Sequence, residues 1–372
     1  MLTITDSDRN TMNVSGSTNS PSDSVLFQFA SWFTGIHGYA SLIVCTFGVF
    51  TNIFNITILS RSDMRSPTNV MLTWLAVSDI MTMVPYIPFA VHFYCVFDPM
   101  SFTPEKFTKG WTIYMLILVN LAATTHTISI WLGVALAVFR FVQMRTTASG
   151  PIARRRNMKQ AKTVILLVYF LSAIVLIPNY ITNEIEEVYS ENRTFYTLKD
   201  LKLATNQTDT IVLVNVLLYS TVAKVIPCAL MIIFGGSLLY NLAIKGKHRR
   251  HRLSANSFGA KREVRQTKTT RMLLVVLILF LITEFPQGIL ILLSATVKDF
   301  YNTVYVPLGD LMDFIALVNN AINFVLYCSM SQQFRSRFVQ MYLRKTAKFK
   351  KIDKLSLTHS FTKTLFTDVN NI

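Results

Sequence analysis

The stretch HTISIWLGVALAVFRF, residues 126–141, decides the fold. It is apolar almost throughout, yet it carries His126 and Ser129 and ends on Arg140, held between Phe139 and Phe141. With the residues before it, the apolar run covers 111–141. That exceeds the roughly 20 residues with which a helix crosses about 30 Å of hydrocarbon. A charge kept at the end of such a run is either an anchor reaching lipid phosphates or a working part.

Six more runs of this kind occur, at 33–59, 70–93, 163–182, 210–244, 272–296 and 303–328. The chain of 372 residues is 51% hydrophobic and only 15% charged, too apolar for an ordinary soluble domain. Within lipid every backbone polar group needs an internal partner, and helices supply one. The expected fold is therefore an all-α membrane protein, a bundle of seven transmembrane helices.

Charge orients the bundle. The formal net charge is +16, and the 36 Lys and Arg are unevenly placed on alternating loops. All but eight, Lys224 being counted among the eight, lie on the side of the 145–162 and 245–271 loops and the C-terminal tail. Positive-inside bias puts that side in the cytoplasm and the N-terminus outside. The sequons at Asn13, Asn192 and Asn206 all fall on the outer side and are expected glycosylation sites, whereas Asn55 lies within the first run. The start, MLTITDSDRN, has no basic region or short apolar core, so no cleaved signal is expected and the first run serves as anchor. The run KHRRHR at 247–252 fits a solvated cytoplasmic loop, and no nucleic-acid binding is expected. Cys95 has no outer-loop partner among Cys45, Cys228 and Cys328, so no disulfide is expected.

The chain divides into an extracellular disordered tail (1–32), the seven-helix domain (33–328), an amphipathic eighth helix (329–345) and a cytoplasmic tail (346–372). The eighth helix rests on Phe334, Phe338, Met341 and Tyr342 at helical spacing, with Arg335, Arg337, Arg344 and Lys345 among them. Such a helix suits the inner leaflet and its lipids. The outer connection 183–209 carries Glu184, Glu186, Glu187 and Glu191, and the inner loop 245–271 is expected to be mobile. Ser356, Thr358, Ser360, Thr362, Thr364 and Thr367 offer phosphorylation sites in the tail.

Polar groups inside the runs are functional candidates because a bilayer makes them expensive. They are Asn52 in the first run, Asp79 in the second, Asn120, His126 and Ser129 in the third, and Glu284 in the sixth. The seventh holds Asp310, Asp313, Asn319, Asn320 and Asn323. Asp310 and Asp313 are three residues apart, hence on one helical face, and with the acidic loop they make the outer mouth negative. Asp310 is expected as a solvated rim residue. The membrane-proximal His37, His92 and His126 lack ligand spacing, and no nucleophile–base pair stands out, so neither a catalytic metal nor an enzyme is expected.

In this order, Asn52, LAVSD (75–79), Arg140, Pro227, Pro286 and Asn323-Phe-Val-Leu-Tyr327 resemble a rhodopsin-like G-protein-coupled receptor. HTISIWLGVALAVFRF, TEFPQGIL (283–290) and NNAINFVLYCSMSQQFR (319–335) look like the invertebrate receptors for myosuppressin and FMRFamide-like neuropeptides. The chain departs from the family pattern at several points. Phe139 replaces the acid, or in the myosuppressin-like branch the tryptophan, before the arginine; Phe141 replaces the tyrosine after it. Phe324 stands where proline follows the seventh-span asparagine, Glu284 where tryptophan precedes the sixth-span proline, and Met115 where a cysteine opens the third span. The fourth-span tryptophan is missing, with Tyr169 and Phe170 near its place.

The resemblance implies a plasma-membrane receptor for a short amidated peptide. Its ligand site would comprise Glu284, Asp313, His126 and Gln287, with Glu284 either anchoring the peptide or bonded between helices, for instance to His126. It further implies that Asp79, Ser129, Asn319 and Asn323 converge, as a polar knot or as a sodium site. Arg140, Tyr327 and Pro286 would carry activation and coupling to a heterotrimeric G protein of the inhibitory class, with arrestin and a receptor kinase as further partners. Ala122 and Leu317 stand where amine receptors carry an aspartate and opsins a lysine, which excludes those two ligand classes. A non-signalling decoy receptor, or a transporter or channel, are the competing readings. No internal repeat supports the latter.

Overall fold

The computed structural model describes residues 25–146, 151–190, 193–199, 209–251 and 258–343. Asn13, Asn192, Asn206 and the Ser/Thr-rich tail lie outside these residues.

Seven helices are long and apolar enough to cross a membrane: α1 (Val25–Leu59), α2 (Pro67–Val96), α3 (Lys109–Arg145), α4 (Pro151–Thr182), α5 (Thr210–Ala243), α6 (Thr270–Thr296) and α7 (Tyr301–Met330). Helix α1 starts at Val25, eight residues before the expected boundary. The added segment is itself aromatic: Phe29 stacks on Phe33, and Phe33 meets Phe314 of α7 edge-on at 5.9 Å. Helix α2 opens on Ser66, whose Oγ accepts the Asn69 N–H at 3.1 Å, with Pro67 in the first turn where no N–H is needed. The region expected as a mobile loop is partly helical: α5 continues to His251, and helix resumes at Phe258 ahead of α6. That segment has no proline and is rich in Lys and Arg, both good helix formers.

Helix α1 packs into the angle between α2 and α7. Gly48 makes this possible, because a Cβ there would meet the Met83 sulfur and the Ala321 methyl. Two large apolar clusters fill most of the bundle. One, around Phe89, Phe93, Phe107, Met115, Phe195 and Leu317, lies toward the 183–199 connection. The other, around Leu72, Ile130, Met231, Phe280, Tyr327 and Phe334, lies toward the opposite, basic end. A smaller cluster around Val216, Ile291, Ala295 and Tyr301 joins α5, α6 and α7.

The connection between α4 and α5 is a β-hairpin, a finding the acidic-loop reading missed. Strands β1 (Ile185–Ser190) and β2 (Arg193–Leu198) pair antiparallel from Ile185↔Leu198 to Ser190↔Arg193. Phe195 and Leu198 are buried beneath it. The hairpin is tied to α3 without a disulfide. The Tyr196 N–H donates to the Phe107 carbonyl at 3.0 Å, and the Thr112 hydroxyl donates to the Tyr196 carbonyl at 2.9 Å. Ion pairs Arg193–Glu105 and Lys199–Glu184 (2.9 and 2.8 Å) flank it, so the acidic cluster is partly offset. Beside them the ammonium of Lys106, fully buried, donates to the carbonyls of Asp98, Pro99 and Ser101. All four cysteines are free thiols.

After α7, Ser331 caps a further helix, α8 (Gln332–Phe338), which runs on as a π-helical turn over Val339–Leu343. Its apolar face is covered by the bundle: Phe338 and Tyr342 pack on Phe54 of α1, and Phe334 on Tyr327. Arg337 pairs with Asp63 in the α1–α2 connection at 2.7 Å.

Candidate functional site

Two polar knots lie inside the bundle, and a cavity opens at its basic end. The first knot begins with a local break in α5. Residues Tyr219–Val225 wind as a π-helix, and the Ile226 N–H donates to Thr221, one carbonyl further back than in an α-helix. In that register Val222 would accept from residue 227, but Pro227 has no N–H. The indole of Trp131 on α3 donates to the Val222 carbonyl instead, at 3.2 Å. The widened turn carries Lys224 into the interior, where its side chain is fully buried.

There Lys224 Nζ meets Glu284 Oε2 of α6 at 2.6 Å and donates to Gln287 Oε1 at 2.9 Å. His126 Nε2 of α3 lies 2.8 Å from the same Oε2. Helices α3, α5 and α6 are thus joined at one carboxylate, two residues before Pro286. The close approach needs Gly288, since a Cβ there would sit 2.9 Å from the Lys224 Cβ. A buried lysine and carboxylate compensate each other's desolvation only in such geometry, with the remaining donors satisfied.

This revises the sequence reading. Glu284, His126 and Gln287 do come together, and the interhelical bond to His126 is present. Glu284 is nevertheless not an open anionic floor, because Lys224 already neutralises it. Lys224, counted among the outer-side charges, is a central residue. Its signal was a lysine inside an apolar run three residues before a proline, and an ionisable group in a span is a functional candidate by default. Asp313 joins none of these bonds; half-buried on α7, it makes no hydrogen bond or ion pair with a described residue. Asp310 is not a solvated rim residue. It is half-buried and accepts from the Thr34 and Tyr94 hydroxyls at 2.7 and 2.8 Å, which tie α7 to α1 and α2.

The second knot is built on Asp79 of α2, which is completely buried. Its Oδ1 accepts from the Ser129 hydroxyl at 3.2 Å and its Oδ2 from the Asn323 amide at 3.0 Å. Asn319 is buried one turn away on α7, and its amide nitrogen has no partner among the described residues. Asn52 donates to the Gly48 and Asn320 carbonyls, holding α1 against α7. Asn120 forms a separate brace, its side-chain oxygen accepting from Asn179 and Asn183 of the α4 end.

At the basic end a cavity of about 510 Å³ is lined by Arg140 and Tyr327, with Arg65, Asn69, Gln143 and Gln333. Arg140 donates to Gln143 at 3.4 Å; among the described residues its buried Nε has no partner and no carboxylate pairs with it. Phe141 packs edge-on against Phe234 of α5. Pro286 is not part of this cavity; it lies in α6 beside the first knot.

The arrangement is that of a known fold. Squid rhodopsin superimposes with a TM-score of 0.63 at 13% identity, over 84% of this chain and 86% of that one. The model of the serpentine type 7TM GPCR chemoreceptor Srw family matches residues 39–345. The chain belongs to this family. It is a rhodopsin-like G-protein-coupled receptor and a multi-pass membrane protein. Relatives include the G-protein coupled receptor dmsr-1 of Caenorhabditis elegans, 26% identical over 355 residues, covering 84% of this chain and 69% of the relative. The sex peptide receptor of Drosophila melanogaster is 24% identical over 328 residues, covering 83% and 72%.

The places where this Srw-family receptor departs from the rhodopsin-like pattern have physical occupants. Phe324 packs against Phe54, Phe334 and Phe338, so the position without proline is filled by aromatic contact joining α7, α1 and α8. Met115, where the family pattern carries a cysteine, is buried under the hairpin in the apolar cluster. Tyr169 stands in for the missing tryptophan of α4, donating to the Trp74 carbonyl at 2.9 Å and meeting its ring edge-on.

Proposed function

We propose that this receptor takes a short amidated peptide containing arginine, of the FMRFamide-like or myosuppressin-like kind, at the hairpin end of the bundle. In this reading the hairpin end faces outward at the plasma membrane, with the N-terminus outside, and the basic end faces the cytoplasm. The observation that carries the ligand class is Asp313, a half-buried carboxylate without a protein partner among the described residues. A guanidinium matches a carboxylate in two parallel hydrogen bonds, and a partly buried carboxylate without a donor gains most from one. Tyr94, Thr34 and Asp310 build the adjoining wall. The sex peptide receptor among the relatives is consistent with a peptide.

The knot of Lys224, Glu284, His126 and Gln287 then acts as the floor and the switch. A ligand shifts the bundle only through different affinity for its two arrangements. A peptide drawn to Asp313 reaches the α5–α6 contact and favours the arrangement in which α6 bends outward at Pro286. The opened basic end admits a heterotrimeric G protein, of the inhibitory class, to Arg140 and Tyr327. Arrestin and a receptor kinase would act on the Ser/Thr-rich tail, and glycans would sit on Asn13, Asn192 and Asn206. At the second knot, Asp79, Ser129, Asn319 and Asn323 supply a carboxylate, a hydroxyl and amide oxygens, a donor set that fits sodium with waters. Asp79 and Asn323 would hold the ion, which adds positive charge beside an otherwise uncompensated carboxylate. A decoy that binds peptide without signalling is the second reading, favoured by Arg140 lacking a carboxylate partner.

Reporters of G-protein dissociation, challenged with a panel of amidated Arg-Phe peptides, test this. Dissociation is expected in the parent and its loss in Arg140→Ala. Asp313→Asn should weaken the potency of arginine peptides more than tenfold, since breaking a buried charge pair costs about 2–5 kcal/mol. Silence to every peptide rejects the ligand class; binding without dissociation selects the decoy.

A further inference from the structure

The basic end carries a second cavity, separate in position from the bundle mouth although Arg65 and Arg154 line both. It has a volume of about 720 Å³ and lies in the angle between the α1–α2 connection and the first turns of α4. Its charged lining is Arg65, Arg154, Arg155, Lys159 and Lys162, and no Asp or Glu contributes. All five are exposed, and none is paired with a carboxylate among the described residues. Asp63, next in sequence to the lining residue Ser62, is already bound to Arg61 and Arg337. We propose that this pocket binds the multiply phosphorylated headgroup of an anionic membrane lipid.

Three features converge on that ligand. The first is unrelieved repulsion. Pro151–Val175 contains no acidic residue, and its first turns carry Arg154, Arg155 and Arg156. Helices ordinarily place acids at this positive end, so the arginines here add to the dipole rather than oppose it. Arg155 and Lys159, four apart on one face, repel each other. A polyanion relieves all of these at once, where a single carboxylate relieves one.

The second is shape. Arg154 Nη2 donates to the Arg65 carbonyl at 2.9 Å, which clasps the connection to α4 and fixes the pocket's back wall. The volume lies within the roughly 300–1,000 Å³ of small-molecule sites, enough for a six-membered ring with phosphates. The third is depth. Lys162 is the last charged residue before the apolar run at 163–182, which sets it at the hydrocarbon boundary. Arg154 is eight residues earlier, about 12 Å along the axis. The headgroup layer is about 5–8 Å thick on each side. The cations therefore span that layer and reach beyond it, as a protruding inositol phosphate does and a compact serine headgroup does not. Basic pockets at this level between membrane helices are a recurrent place for such headgroups.

The test uses the full-length receptor in nanodiscs that contain either a phosphatidylinositol bisphosphate or phosphatidylserine at equal total charge. Lipid retained by the receptor is counted by native mass spectrometry. Retention of the bisphosphate at least tenfold above phosphatidylserine is expected, falling to parity in Arg155→Gln/Lys159→Gln/Lys162→Gln. These side chains are exposed, and the Arg154 clasp stays intact. Should the triple variant not fold, Lys162→Gln alone is expected to lower retention at least threefold. Equal retention of the two lipids, or retention unchanged in the variant, overturns the proposal. Free inositol trisphosphate binding while the bisphosphate lipid is not retained would assign the pocket to a soluble phosphate and also overturn it. So would displacement of the lipid by a phosphorylated peptide of the C-terminal tail, which would assign the pocket to a protein ligand.

Discussion

The two interior knots solve one problem in opposite ways. Both hold a carboxylate at 0% exposure. Glu284 is held by charge, with Lys224 and His126 on the same oxygen. Asp79 is held by neutral donors, one hydroxyl and one amide. A charge-held carboxylate binds its helices in a pairwise, all-or-nothing manner, because losing either partner strands the other in low dielectric. A carboxylate held by neutral donors has no such dependent partner and keeps room for an ion or a proton. The first knot thus suits a latch between α5 and α6, and the second an adjustable joint between α2, α3 and α7.

The largest expected effect breaks the first knot. Glu284→Ala strands Lys224 and should destabilise the receptor by about 3–5 kcal/mol, read as a lowered unfolding midpoint in detergent. Glu284→Leu with Lys224→Met should return to within about 1 kcal/mol of the parent. A double variant no better than the single would show that charge pairing is not what holds these helices. Gly288→Ala drives a methyl against Lys224 and should cost about 1–3 kcal/mol, with the same midpoint as readout. In the second knot, Asp79→Asn keeps the shape and should cost no more than about 1 kcal/mol. It should also abolish any rise of the midpoint with added sodium; a rise that persists removes the ion from this site.

Smaller effects probe the basic end. Phe139→Asp places an acid beside Arg140 and is expected to lower basal G-protein dissociation about two- to fivefold, since an added exposed or partly exposed pair contributes about 0.5–1 kcal/mol. An unchanged or raised baseline contradicts a missing restraint on Arg140. The smallest effect belongs to Asp63. Desolvation raises its carboxyl, but the Arg61 hydrogen bond and the Arg337 and Arg61 charges outweigh it and hold the group below the ordinary range. A depressed carboxyl contributes stability above its unfolded value near 3.9 and loses it as pH falls through the lower folded value. Asp63→Asn should therefore slightly lower stability across the neutral range and flatten the acid limb, the two profiles converging once pH falls through the folded value.

The seven helices were legible because the bilayer imposes length and apolarity on each of them locally. So were the individual polar residues. Their partners were not. Glu284 and Lys224 are 60 positions apart, and no periodicity connects them. The hairpin's alternation, IEEVYS against RTFYTL, was present in the sequence, but its acids drew the reading toward a loop. The early start of α1 was obscured because the contact that anchors its outer end, Phe33 against Phe314, joins it to α7, far away in sequence.

The amino-acid sequence by itself determined that this chain is a seven-helix membrane protein, because solvation by lipid acts on each segment alone. Only the tertiary structure decided that Glu284 is neutralised from α5, that Asp310 is braced while Asp313 is open, and that five cations share one acid-free pocket. Charge pairing and desolvation depend on distances of a few ångströms between segments, and those distances are set by helix packing around Gly48, Gly288 and the π turn of α5.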